Sequence, residues 1–290
     1  MTASYFVRLL LLASAVFFLL RVALEALASM AVKKAIARAE RWSAAQGARL
    51  LLTLRLFPSG AALAFVALFC LPGYLRYEPP STLEEVGAAC VFAAICGIVL
   101  ASMALFRAAR ATCASRRYRI EEGIALAGIV HPRLLISERA RRELSAEQFE
   151  AALAHEHAHR RSMDNLKRLL MLLAPALFPA SRALEKAWAR HAERAADDRA
   201  VNGDPHRAIA LAEALVCVAR MQTKAPALVA TLIDSSDDLA SRVERLLEPR
   251  GAASPLPQAW LWITSAAALA LAIMPGTMHA VHTLLEHLLD

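Results

Sequence analysis

Aromatic residues are scarce in this chain, 6% of 290 positions, while Ala and Leu dominate. That composition argues against a membrane β-barrel, whose strands alternate and end in aromatic girdles. Cysteine is limited to five residues, Cys70, Cys90, Cys96, Cys113 and Cys217, an odd number with no CxxC pair. Three of them sit inside apolar runs, so they read as small core side chains and not as a disulfide framework or a zinc knuckle. Basic residues are nowhere interleaved with aromatics, so direct nucleic-acid binding is not expected despite a formal net charge of +7. Internal repeats and low-complexity tracts are absent as well. Charged residues make up only 20%, below the roughly 25% of soluble domains.

What the chain has in excess is hydrophobicity, 58% of residues with a mean hydropathy of +0.42. Globular proteins run about 45–50% apolar, so the surplus belongs in lipid, in helices. Four stretches qualify as spans. The first, Tyr5 to Ala28, contains Arg8, Arg21 and Glu25, the last two spaced to pair across one turn. A signal peptide ending at Ala26-Leu27-Ala28 is the competing reading. The second runs from Pro58 to Leu75, and the third from Val86 to Phe106 carries no charge over 21 residues. The fourth, Gln258 to Met274, has Trp260 and Trp262 placed for a headgroup boundary.

Loop charges set the topology. The Lys33 to Arg55 loop is basic, the Glu78 to Glu85 loop acidic, and the segment after Arg107 basic again. Under the positive-inside rule the N-terminus is outside and the Arg107 to Arg250 segment is cytoplasmic, which predicts a multi-pass protein of the inner membrane. His279, His282 and His287 in the tail lack the carboxylates or cysteines that would complete a ligand set and read as an exposed helix end.

Only the segment from Arg107 to Arg250 can make an aqueous domain. Ile124 to Ile136, aliphatic and interrupted by Gly128 and Pro132, predicts one or two short strands with a bend. Ser145 and Gln148 form a capping box for a helix from Ala146 to Arg161. Its apolar stripe, begun at Phe149, asks for a core side chain at position 156, where Glu156 stands instead. Such a violation marks either a misassigned face or a functional residue. A second helix is expected near Asn165. Leu169 to Ala180, with two prolines and no charge, is too short to span; it either dips into the interface or packs on the spans, with a buried core piece as the alternative. A helix from Ser181 to Val201 follows, stopped by Asn202-Gly203, and Asp204-Pro205 caps another.

Within the Ala146 to Arg161 helix lies His155-Glu156-His157-Ala158-His159, an HExxH. Four residues along a helix rise about 6 Å and return nearly to the same face, so His155 and His159 can chelate one metal ion. Glu156, on the neighbouring position, can reach a water in the open coordination site as general base. His157 points away. A catalytic zinc needs a third protein ligand. In the downstream helix Glu193 and Asp197 share a face, so Glu193 can reach the metal while Asp197 orients a ligand imidazole. The competing ligand, His191, has no such partner one turn on. Ala195 and Ala196 are small where the two helices must approach.

The HExxH and the Glu193-Arg194-Ala195-Ala196-Asp197 run resemble the gluzincin pattern of membrane metallopeptidases, including the HtpX and CAAX prenyl protease group. The sequence from Leu144 to Leu166, the Glu193 to Asp198 run and the order of spans around the catalytic segment more closely resemble the bacterial antirepressor family, the metallopeptidase part of the β-lactam sensor-transducers. That resemblance implies zinc held by His155, His159 and Glu193, with Glu156 activating water and Asp197 behind a ligand. It also implies an edge strand at Leu126, Ala127 and Gly128 for an extended substrate. Arg242 would either stabilise the oxyanion or pair with an acid, the structural role being favoured. The sensors carry a penicillin-binding domain after the fourth span; this sequence ends at Asp290, so no drug-sensing domain is expected within it.

The expected fold is thus a mostly α integral membrane protein. Four transmembrane helices would carry a gluzincin-like α+β metallopeptidase domain between the third and fourth, with segments 1–106, 107–256 and 257–290. The expected function is a zinc endopeptidase cleaving a protein at the cytoplasmic face, with a transcriptional repressor as one substrate class. The alternatives are membrane-protein quality control of the HtpX type and a non-catalytic membrane transducer. Oligomeric state, metal identity and cleavage site are not written in the sequence.

Overall fold

The apolar runs become long helices. The computed structural model describes residues 4–78, 86–120, 123–129, 132–221, 229–231 and 236–248. Helix α1 spans Tyr5–Ala39, α2 Ala44–Phe65, α3 Leu71–Tyr77 and α4 Ala88–Arg117. One π-helical turn, Val66–Cys70, joins α2 to α3, so Ala44–Tyr77 is a continuous helical rod. Among the described residues, three helices are therefore long and apolar enough to cross a membrane. At 1.5 Å per residue α1 is about 50 Å long, well beyond a hydrocarbon core of about 30 Å. The Lys33 to Arg55 stretch, expected as a loop, is nearly all helix, because Ala31–Ala39 and the segment from Ala44 are built of strong helix formers. The expected fourth span, the histidines of the tail and the boundary at 256–257 lie outside the described residues.

The chain divides into two compact units. Among the described residues, the first holds Leu56–Met103 and the start of α1 through Met30; the second holds Ala31–Arg55 and the chain from Ala104 through 248. In the first unit Leu12 and Val16 of α1 pack on Val66, Cys70 and Tyr74, and Ala15 packs on Cys90, Ala93 and Ala94. Small residues let α1 and α4 meet closely; a Cβ at Gly97 would stand 2.7 Å from the Ser14 carbonyl oxygen. Phe6, Leu10, Leu63, Phe92 and Val99 face outward, as lipid-facing helices require. Four charges of this unit are buried in pairs, Arg8 with Glu78 at 3.5 Å and Arg21 with Glu25 at 3.7 Å, the latter with the one-turn spacing visible in the sequence.

The second unit builds a small antiparallel sheet and a helical pack. Strands β1 (Ile124–Ala127), β2 (Arg133–Ile136) and β3 (Val229–Thr231) stand in the order β2-β1-β3. Helices α5 (Glu138–Glu143), α6 (Ala146–Ser162), α7 (Asp164–Leu173), α8 (Pro179–Val201), α9 (Pro205–Met221) and α10 (Ser236–Leu247) complete it. The bend between β1 and β2 begins at Gly128, whose φ of 102° suits glycine. Helix α6 starts with the full capping box of Ser145 and Gln148. It ends at Met163, a left-handed residue with φ 54° that turns the chain directly into α7. Asn202 and Gly203, at φ 49° and 79°, stop α8, and Asp204 then accepts the His206 amide at the head of α9. Helix α6 packs against α8, α9 and β1. Their shared core contains Ile124, Ala152, Leu211, Leu215 and Val218.

Candidate metal centre

Two helices with small faces bring the site together. Ala152 and Ala158 on α6 and Ala192, Ala195 and Ala196 on α8 are all buried, and only side chains of that size let the two helices approach. His155, Glu156 and His159 project from α6 and Glu193 and Asp197 from α8, each with 1% exposure or less. The Nε2 atoms of His155 and His159 stand 3.0 Å apart. Glu193 completes a triangle, with Oε2 3.5 Å from His155 Nε2 and Oε1 3.5 Å from His159 Nε2. The donor atoms of the three lie within 4.8 Å of one another.

Those separations fit one metal ion. Ligand bonds of about 2.1 Å in a tetrahedron put neighbouring donors about 3.4 Å apart. A second observation points the same way. Both carboxylate oxygens of Glu156 are buried with no hydrogen-bond partner, a costly state for acceptors that nothing else satisfies.

Each imidazole is backed by a carboxylate on its far nitrogen. Asp197 Oδ1 lies 2.9 Å from His155 Nδ1, and Asp164 Oδ2 lies 2.7 Å from His159 Nδ1. This arrangement leaves both Nε2 atoms for the ion and raises the basicity of the rings. Asp164 was not singled out from the sequence. It sits at the start of α7 and reaches the site because Met163 reverses the chain; Lys167 Nζ holds its other oxygen at 2.8 Å.

Arg242 enters from α10. Its Nε and Nη2 donate to Asp197 Oδ2 and Oδ1 at 2.9 and 2.7 Å, and Nη1 lies 3.2 Å from Glu193 Oε2. It thus pairs with both of these α8 acids. His157 is exposed, on the opposite face of α6. His191 is buried away from the cluster, its Nδ1 donating to the Ala187 carbonyl at 2.9 Å.

The expected edge strand takes a different place. Ala125, Leu126 and Ala127 of β1 pair with β2 on one side and with β3 on the other, so β1 is the central strand and its edges are covered. β3 follows α9 in the chain and carries no strong strand pattern of its own, so its pairing was not readable from sequence. Asn165 Nδ2 donates to the carbonyls of Leu126 and Gly128 at 3.0 and 2.8 Å, tying the strand to the start of α7.

Burial pushes the Glu156 carboxyl up to about 7, against the pull of His159 and His155. Glu193 goes the other way: burial opposes its ionisation, but His159, His155 and Arg242 outweigh that and hold it well below the carboxylate range. Asp197 is likewise held low, chiefly by Arg242 against the effect of burial. The cluster therefore contains one carboxyl that takes and gives up a proton near neutrality among others that stay ionised, the separation expected of an acid–base pair of environments. Comparison of the chain with protein-family models, with curated proteins and with solved structures returns no match.

Proposed function

We propose that this protein is a membrane-anchored zinc endopeptidase. The observation that carries the reading is Glu156, a buried carboxyl without a hydrogen-bond partner, adjacent in sequence to His155 and one helical face from the two-His, one-Glu donor set. A two-imidazole, one-carboxylate set suits zinc best among the common divalent ions. When bound, zinc supplies a Lewis acid for the scissile carbonyl and acidifies a water.

The chain's own residues do the rest. Glu156 takes the proton of the attacking water and returns it to the leaving amine, for which a pKa near the working pH is suited. Asp197 and Asp164 fix the ring orientations, and Arg242 keeps Asp197 and Glu193 ionised. The membrane is the inner membrane and the catalytic segment faces the cytoplasm, on the charge asymmetry of the loops. The substrate is a protein, with a transcriptional repressor as the class suggested by the antirepressor resemblance.

The test uses the full chain and its Glu156→Gln variant in detergent, with bound zinc measured in both and cleavage of an unstructured reporter protein followed. Zinc in both with cleavage by the wild type alone is the expected result. Absence of zinc from both, or equal cleavage by both, would overturn the proposal.

A further inference from the structure

A second site lies in the same unit. A cleft of about 340 Å³ is lined by Arg107 of α4, Arg168 and Met171 of α7, Pro175 in the connection to α8, and Arg182 and Trp188 of α8. Glu185 also borders it, but its carboxylate is taken by Arg55, whose Nε and Nη2 donate to Oε1 at 2.9 and 2.6 Å. Arg55 Nη2 also donates to the Ala174 carbonyl. Arg168 is in turn paired with Glu193, so the cleft is left with the charge of two guanidinium groups, Arg107 and Arg182. Arg107 and Arg182 are exposed at its mouth and have no carboxylate partner among the described residues, while Met171 and Trp188 form a buried apolar floor.

Its position along the chain says which anion reaches it. Arg107 is the residue at which the uncharged run of the third span ends, and the first charge after such a run stands at the headgroup layer. On the face of α7 opposite the one that lines the cleft, Leu166, Leu170 and Leu173 form an exposed apolar stripe at 37%, 41% and 42% exposure. An amphipathic helix of that kind lies in the boundary between headgroups and acyl chains. Guanidinium forks match phosphate oxygens, and the apolar floor matches the glyceride end of the same molecule.

We infer that this cleft binds the phosphate of an anionic phospholipid, with Arg107 and Arg182 as its ligands and α7 resting in the membrane boundary. The site is separate from the metal centre and stands whether or not the protein cleaves peptide bonds. Arg168 borders both, its Nη2 being 3.6 Å from Glu193 Oε1.

The experiment places the full chain in phosphatidylcholine bilayers and measures, with spin-labelled lipids, the association of phosphatidylglycerol relative to phosphatidylcholine. The wild type selects phosphatidylglycerol severalfold. The Arg107→Gln/Arg182→Gln variant loses that selectivity, and an Arg116→Gln/Arg117→Gln variant, altered on the same helix outside the cleft, keeps it. Equal association of both lipids with the wild type, or equal loss in the two variants, would overturn the inference. Inorganic phosphate is tested alone on the detergent-solubilised chain. Its binding, if abolished by the cleft variant, would reassign the site to a soluble anion and overturn the lipid assignment.

Discussion

Arg242 grips Asp197 with two parallel hydrogen bonds, 2.9 and 2.7 Å, while Asp197 lies 2.9 Å from the ring of His155. All three side chains are buried, so α10 is linked to the His155/His159 face of α6 through one carboxylate on α8. Arg242→Ala leaves Asp197 and Glu193 buried without that cation. The expected loss is about 3–5 kcal/mol, because removing one member of a buried pair strands the other. Thermal unfolding of the metal-free protein measures it. Arg242→Lys keeps the charge but not the fork and should fall between the wild type and the alanine variant.

Glu156 couples stability to pH in the metal-free protein. Its folded pKa, about 7, is above the ordinary value of 4.5. The group therefore contributes stability that is fully present below about pH 4.5 and is lost as pH rises through about 7. Glu156→Gln removes the cost of ionising a buried carboxyl, so above pH 7 the variant should be the more stable protein, by roughly 3 kcal/mol. Denaturation midpoints in the presence of chelator at pH 5 and pH 8 provide the check; a gap that does not widen with pH would contradict it.

Asp164 is expected to matter for metal retention as much as Asp197. Asp164→Asn weakens the charge behind His159 Nδ1 and should lower zinc affinity by about 10–100-fold, the usual effect of removing an orienting carboxylate. His157→Ala, on the exposed side of α6, should leave affinity unchanged. Competition with a chromogenic chelator separates the two.

Gly47 is expected to tolerate no side chain. A Cβ there would collide with the His191 ring and come within 3.0 Å of the Ala39 carbonyl oxygen. Gly47→Ala should cost about 1–3 kcal/mol by overpacking. Adding His191→Ala should recover part of that loss, and a double-mutant cycle by thermal unfolding reads the coupling.

The HExxH and the Glu193/Asp197 pair were legible because each rests on one helix, where spacing alone decides which residues share a face. Glu156 was legible as an anomaly, a carboxylate at a core position of the α6 stripe. Asp164 was not, since its approach to His159 depends on the left-handed turn at Met163, a conformation no local pattern announces for methionine. Arg242 could be placed near the end of the domain only by resemblance; its partner Asp197 is 45 residues away in sequence. The central position of β1 was hidden for the same reason, because pairing with β3 joins segments separated by five helices.

Hydropathy, capping and periodicity thus determined that the chain is mostly helical, where three apolar helices run, where α6 begins and which residues on α6 and α8 can face a common ligand. These are local properties, set within a few turns of backbone. Tertiary structure alone decided that Asp164 and Arg242 join the site, that Ala31–Arg55 belongs to the same compact unit as α6 and α8, and that Arg107 shares a cleft with Arg168 and Arg182. Such choices follow from which small residues let helices close on one another and from where buried charges find partners. Both depend on contacts between distant parts of the chain, which no window of sequence contains.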